Sequence, residues 1–555
     1  MEMKNSVCCL LAFLFVFLLS PASGESGGAV PVENPPKLRA LLIGCDHFLT
    51  QEDTWPAAEH NIQLLSDTLM NDRRNYALIR SYASAIASAE AFEDAVLNTF
   101  SSARSGDISL LYISTHGVYS EDGGAEQSGL LLSDGQTETL LTAPKLEHAL
   151  SQVPGTKMVI LDACNSGAVI GKGLSALESG AYLSGPAYKV LCSAGGSEAS
   201  WYFHGGGSNE AAGASYFASV LSSGLGAQGD FGADQNSDGD ITLREAYAYL
   251  LDNYAASTTQ AYPQNDGDFV LFSYDPDSPR RVTKAVTDLS FDETLLTAGE
   301  TEVSFAFTMQ RQAELYYQIV YHRDGAWQFD QAQHYLDGEQ ADGTVLPGRK
   351  TRVLSLETAA DASGYAMVQL ITLEHGVPVF QGARLLCVQP ASGNVALSVA
   401  AAPVFVPGAW QELPIAVRHD VPCGLTVNIL NADGRTVRRL AYETPSRPQQ
   451  LSPAGSTFYW DGLMTDGTHA PPGDYTVQVK VFLGGRTFTA QSEKITLLPP
   501  GPPGGNSVGK RFSFLRRNFQ SNHPIAIFTI KMRATLSSTR AMVISPVLTA
   551  CRTAL

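Results

Sequence analysis

The sequence predicts an α/β layer domain built on a mostly parallel sheet, followed by two all-β sandwich domains. Three observations carry this expectation. From residue 36 to about 275, short apolar runs alternate with segments of helical period, as in successive strand–helix–strand units. After Tyr274 the helical period vanishes and period-two alternation replaces it. Turn-forming residues then separate the alternating runs, as sandwiches require.

The elements follow in order. Residues 38–44 (LRALLIG) are apolar throughout and predict a buried strand. Residues 57–70 carry Ile62, Leu65 and Leu69 at helical spacing, and residues 87–100 predict a second helix. Residues 107–114 (DISLLYIS), 157–162 (KMVILD) and 188–193 (YKVLCS) predict further buried strands. Residues 302–308 (EVSFAFT), 314–321 (ELYYQIVY) and 365–373 (YAMVQLITL) alternate and predict a sandwich over 285–392. Residues 425–430 (LTVNIL), the turn Asn431-Ala432-Asp433-Gly434 and residues 475–482 (YTVQVKVF) predict a second over 395–497.

Composition excludes some functions. The formal net charge of −18 argues against nucleic-acid binding. Lys4, the short apolar run 7–19 and the small residues Ala22-Ser23-Gly24 predict a secretory signal over 1–24, hence a secreted protein with no stable membrane span once it is removed. Cys45, Cys164, Cys192, Cys387, Cys423 and Cys551 then remain, too sparse for a disulfide framework and without CxxC pairs for zinc. Residues 498–555 begin with a Pro/Gly linker and turn basic, with Lys510, Arg511, Arg516 and Arg517 and no acid. Two readings of this tail stay open: a disordered arm, or an artefact of translation.

Two predicted strands end in reactive residues. DISLLYIS runs into Thr115-His116-Gly117, and KMVILD into Ala163-Cys164-Asn165-Ser166-Gly167. Parallel strands open their C-terminal ends onto one edge, where α/β proteins place their sites. Adjacent strands would set the imidazole beside the thiol, as a cysteine nucleophile needs. The N–H groups of Gly117 and Cys164 are candidates for an oxyanion hole, with glycine letting a substrate carbonyl approach. A His about 50 residues upstream of the Cys is the caspase-type spacing.

YISTHG and LDACNSG resemble the His and Cys boxes of caspase-like peptidases, and metacaspases more than animal caspases. The resemblance covers residues 36–275. It implies a caspase/hemoglobinase-type α/β sandwich and an endopeptidase acting on protein or peptide through an acyl-enzyme, with His116 and Cys164 as the dyad. It further implies a pocket for a basic P1 side chain, formed by Asp162 with Ser114 and Asn61. Metacaspases carry an acid where Asn61 aligns, so one charge of that pocket is missing. The alternatives are a noncatalytic surface or adhesion protein that keeps the fold as scaffold, and a peptidase of the clostripain or legumain branch.

Residues 234–245 (DQNSDGDITLRE) follow the EF-hand loop pattern, which predicts a calcium site within this domain. The expected ligands are Asp234, Asn236, Asp238, Asp240 and Glu245, with Gly239 at the sharp turn and Glu245 opening a helix. Residues 427–481 resemble the immunoglobulin-like module of flagellar hook-cap proteins through NADGRTVRRL, Trp460-Asp461-Gly462 and Pro472-Gly473-Asp474-Tyr475. That resemblance implies a spacer, or an attachment module for the cell surface. Neither β domain is expected to be catalytic.

Overall fold

The computed structural model describes residues 35–500 and 548–550, except 55–56, 121–123, 174–181, 197, 204–213, 255–256, 264–265, 279–281, 300–301, 324–325, 330–333, 336–343, 357–362, 375–376, 409–411 and 447–455. The expected leader and almost all of the basic tail lie outside the described residues. Among those described, no helix is long and apolar enough to cross a membrane.

The α/β domain opens with β1 (Leu38–Gly44), α1 (Ala57–Leu69), β2 (Tyr76–Ala83), α2 (Ala89–Phe100) and β3 (Ile108–Ser114). A three-stranded antiparallel sheet follows, made of β4 (Gly117–Val118), β5 (Gly129–Ser133) and β6 (Glu138–Thr142), with the short α3 (Gly124–Gln127) before β5. Then come α4 (Ala143–Ser151), β7 (Thr156–Asp162), β8 (Tyr188–Cys192), β9 (Trp201–Phe203), β10 (Ala214–Ser215), α5 (Tyr216–Gly224), β11 (Asp240–Thr242), α6 (Leu243–Asn253), β12 (Gln260–Tyr262) and β13 (Val270–Ser273).

The main sheet has the order β12-β8-β7-β3-β1-β2. It is parallel except for β12, which runs antiparallel to β8. Period-two alternation sends side chains to both faces, so both must be covered. Leu42, Leu110, Met158 and Ile160 face one cluster with Leu65 of α1, Leu221 of α5 and Leu250 of α6. Leu41, Leu111, Val159 and Leu161 face the other, with Val96 of α2 and Leu146 of α4. At α2, Ser88 caps the helix by accepting the Ala91 N–H at 3.1 Å.

The remaining chain is all β. Val286–Phe291, Glu302–Met309 and Gly348–Ser355 form one sheet of the first sandwich. Its partner sheet includes Ala313–Arg323, Gly364–Glu374 and Val377–Gln389. The second sandwich pairs Leu397–Ala401, Leu413–His419 and Ser456–Trp460 against a sheet centred on Cys423–Asn431 and Gly473–Leu483. Trp460 is fully buried in its core, beside Phe405 and Tyr475. Cys387 and Cys423 are free, buried thiols. Leu548–Ala550 forms a strand antiparallel to β9.

Candidate active site

The sheet brings the two motifs together. β3 and β7 are adjacent and parallel, with Ser114 opposite Asp162 at their C-terminal ends. The Thr115 N–H still donates to the Asp162 carbonyl at 3.2 Å. Two residues beyond the matched pair lie His116 and Cys164, so register alone places both on one edge. Gly117 seals the approach. A Cβ built there would lie 1.6 Å from the Cys164 carbonyl oxygen. The missing side chain therefore makes room for the Cys164 carbonyl. The Leu131 N–H donates to the His116 carbonyl at 2.8 Å. This makes Gly117 opposite Leu130 a non-hydrogen-bonded position of the ladder, with its N–H turned away from β5. Gly117→Ala is expected to abolish activity and to destabilise the protein by about 3 kcal/mol or more, since backbone rather than a soft side chain must move. Chemical denaturation and peptide turnover check both effects.

The imidazole is held from a position no motif marks. His116 Nε2 lies 2.8 Å from the Glu52 carbonyl oxygen. A carbonyl only accepts, so Nε2 carries the proton and Nδ1 is the basic nitrogen of the neutral ring. Burial pushes the His116 pKa below its ordinary value, which keeps the ring neutral near pH 7. Phe48 packs against it at 4.4 Å between centroids.

Cys164 sits on a strained turn. Asn165, next in the chain, adopts φ 57° and ψ 14°, the left-handed region that asparagine tolerates. Its N–H donates to the Glu198 carbonyl at 2.8 Å, and its Nδ2 to the Gly196 carbonyl at 3.0 Å. The Ser200 N–H points at Cys164 Sγ from 3.3 Å, a donor of the kind a sulfur anion uses. At Cys45 and Cys192 burial pushes the thiol up in pKa, as for inert core residues.

Beside the thiol lies a small cavity of about 30 Å³, whose lining includes Asn61, Ser114, Asp162, Cys164, Trp201 and Ser215. Asn61 donates from Nδ2 to Ser114 Oγ at 2.9 Å and accepts the Ser215 N–H at 2.9 Å. Asp162 accepts from the Tyr112 hydroxyl at 2.9 Å and from the Ser215 hydroxyl. Burial outweighs these bonds and pushes its pKa up to about 6. Asn61, Ser114 and Asp162 thus line one cavity together with Ser215, and Tyr112 bonds to Asp162 from outside that lining. A larger cavity, about 760 Å³, lies between this domain and the two sandwiches, and its lining includes neither His116 nor Cys164.

The loop from Asp234 to Glu245 has the turn geometry its spacing predicts. Asp234 accepts the N–H groups of Ser237 and Gly239, Asn236 that of Asp238, and Asp238 that of Asp240. Gly239 has φ 86°, with no space for a side chain against Tyr274 and Pro276. Asp240 Oδ1 accepts from Arg73 at 2.6 Å and from Ser273 at 2.5 Å, while the seventh position of this loop pattern ligates through its backbone carbonyl. One expectation needs correction. Glu245 does not open the helix: α6 starts at Leu243, capped by Thr242, and Glu245 accepts the Thr242 N–H and hydroxyl in a capping box. Among the described residues no three His, Cys, Asp or Glu side chains converge on one point. Asp234, Asn236 and Asp238 carry side-chain oxygens of the kind a hard cation takes, and Glu245 meets Thr242 through Oε2 alone.

Residues 19–193 match the CHAT domain, and residues 414–484 the FlgD Ig-like domain. The latter region is similar to the basal-body rod modification protein FlgD of Salmonella typhimurium and of Salmonella typhi, each 34% identical over 94 residues, or 17% of this chain. The chain spans 38% of the length of these relatives. Caspase-1 from Spodoptera frugiperda is a structural neighbour at 13% identity and TM-score 0.26, covering 41% of this chain and 86% of that one. A secreted C11 cysteine protease from Bacteroides thetaiotaomicron, solved with an irreversible peptide inhibitor, is another at 12% identity and TM-score 0.20, covering 28% and 48%. The first is an α/β domain built on a mostly parallel sheet, and part of it is similar to the CHAT domain. The last is an FlgD-like immunoglobulin domain.

Proposed function

We propose that this protein is a secreted cysteine endopeptidase of the caspase/metacaspase type, with His116 and Cys164 as its dyad. The observation that carries the reading is the neighbouring strand ends that present the two residues together, with the ring's Nε2 committed to the Glu52 carbonyl. Cys164 Sγ attacks the scissile carbonyl, and the electron pair moves to the oxygen, met by the N–H groups of Gly117 and Cys164. His116 Nδ1 takes the thiol proton as Cys164 attacks and passes that proton to the leaving amine; water then hydrolyses the thioester, giving one proton back through Nδ1 to the sulfur as the acid leaves. Asp162 favours Lys or Arg at P1 and repels acidic side chains. A peptidyl acyloxymethyl ketone with Arg at P1, followed by peptide mapping, tests the assignment. Labelling confined to Cys164 supports it; no labelling would leave the noncatalytic scaffold. That second reading has its own support, since Cys164 is 1% and His116 5% exposed.

The same reading gives the 234–245 loop a bound Ca²⁺. The cation would relieve repulsion between Asp234 and Asp238 and tie β11 and α6 to the rest of the domain. Binding stabilises by mass action, by roughly 3 kcal/mol at a hundredfold excess over the dissociation constant. EDTA is expected to lower the melting transition of the intact protein, and Ca²⁺ to restore it better than Mg²⁺. Asp234→Ala should erase the difference. Superimposable curves for wild type with EDTA and with Ca²⁺ would exclude a stabilising site.

A further inference from the structure

The turn that follows the nucleophile is gripped from outside its own domain. After Cys164 the chain passes through a short 3-10 turn, Ser166–Ile170, and leaves at Gly171-Lys172-Gly173. The backbone there is closely woven. The Lys172 N–H donates to the Gly167 carbonyl at 2.8 Å, and the Gly196 N–H to the Lys172 carbonyl at 2.9 Å. Gly167 can carry no side chain, since a Cβ would lie 2.7 Å from the Lys172 carbonyl oxygen.

The Lys172 side chain leads away into the second sandwich. Its ammonium, 7% exposed, lies 2.5 Å from Glu412 Oε2, 2.7 Å from the Ala261 carbonyl and 4.3 Å from the centre of the Tyr459 ring. The Tyr459 hydroxyl accepts the Gly173 N–H at 3.0 Å. Glu412 and Tyr459 belong to the FlgD-like domain, Glu412 directly before the strand Leu413–His419 and Tyr459 within Ser456–Trp460. A buried ammonium needs such partners, because burying an unpaired cation is costly.

We propose that the FlgD-like domain is a working part of the active site: through Glu412 and Tyr459 it fixes Lys172 and Gly173, and thereby the turn that carries Cys164. The path is short. Lys172 holds Gly196 through its carbonyl; Gly196 accepts from the Asn165 side chain; Asn165 is bonded to Cys164. Glu198 and Ser200, on the same 195–200 segment, contact the Asn165 N–H and Cys164 Sγ. Lys172, Glu412 and Tyr459 are positioning residues, distant from any reacting bond. The inference rests on Cys164 being the nucleophile, and it assigns an appended β domain a role beyond spacing or attachment.

Glu412→Met is the test, with Lys172→Met/Glu412→Met as its partner. The single variant strands a buried cation, whereas the double variant replaces the pair with apolar side chains of similar size, which buried pairs tolerate. In the intact protein, the single variant is expected to lower kcat about tenfold at unchanged KM, and the double variant to recover most of it, because removing one partner of a buried pair does more harm than removing both. Amide exchange gives a readout free of turnover. The Lys172 and Gly196 N–H groups should exchange at least tenfold faster in Glu412→Met, with the amides of β3 unchanged. Should Glu412→Met fold poorly, Tyr459→Phe removes only the bond to Gly173 and should speed exchange of that amide. Unchanged exchange in these variants overturns the inference. Absence of turnover in wild type would instead overturn the peptidase reading, and exchange would still decide the grip.

Discussion

Cys164→Ala is expected to lower peptide turnover by at least about 10⁴-fold, because the covalent route disappears with the sulfur. Nothing nearby replaces it. Ser166 Oγ accepts the Ala194 N–H at 3.2 Å and lies close to the Ala194 carbonyl, behind the turn rather than in front of it. Cys45 and Cys192 are core thiols whose burial disfavours the thiolate. The fold should survive, since alanine removes one small buried atom and costs about 1 kcal/mol. Steady-state kinetics with the variant, beside its melting curve, checks both halves. Turnover above one per cent of wild type would mean that Cys164 is not the nucleophile.

That His116 and Cys164 lie at neighbouring strand ends was legible because a parallel sheet converts sequence pattern into position. DISLLYIS and KMVILD read as buried strands, and a residue two places past each strand's end had to fall on the C-terminal edge. The pocket was legible in part. Asp162 and Ser114 occupy the matched last positions of β7 and β3, and Asn61 faces them from α1. Tyr112 shares a sheet face with Ser114, two residues away, and that parity was its signal; in an apolar run it reads as core. Ser215 had none, being brought in by the helix start of α5. The Glu52 carbonyl that orients His116 belongs to the main chain, and no side chain announces it.

Other features were hidden by distance or by mixed burial. β2 is an edge strand whose residues alternate between exposed and half-buried, so it lacks the solid apolar signature of its neighbours. The small sheet β4–β6 turns at Asp134-Gly135, where Asp134 accepts the N–H groups of Gln136 and Thr137, a local hairpin signal that the sequence does contain. Lys172 and Glu412 lie 240 residues apart. Nothing in either neighbourhood shows that an exposed-looking lysine after the Cys box is buried by a domain that reads as an appendage.

Asp162→Asn is expected to act on activity and stability in opposite directions. With a substrate cation in the pocket, the carboxylate forms a buried pair, and losing one partner of such a pair costs about 2–5 kcal/mol. At about 1.4 kcal/mol per decade, kcat/KM for Arg-P1 peptides should fall by between about 30-fold and about 4,000-fold. Peptides with citrulline at P1, neutral and of the same shape, should be little affected. In wild type the Arg/citrulline ratio should decline as pH drops through about 6, where Asp162 takes up its proton. Using the ratio cancels the titration of His116, common to both substrates. Stability runs the other way. The folded carboxyl titrates near 6 against 3.8 unfolded, so the native state holds the proton more tightly. Stability is therefore lost as pH rises from about 4 to 6, and by pH 7 the free protein carries a penalty of up to about 3 kcal/mol, at 1.36 kcal/mol per unit. Asparagine removes the charge, while the Tyr112 and Ser215 hydroxyls can still donate to its oxygen. The variant should melt higher than wild type at pH 7 and no higher at pH 4. A variant that loses Arg-P1 selectivity and also melts lower at pH 7 would show that Asp162 supports the Cys164 turn rather than the substrate's cation.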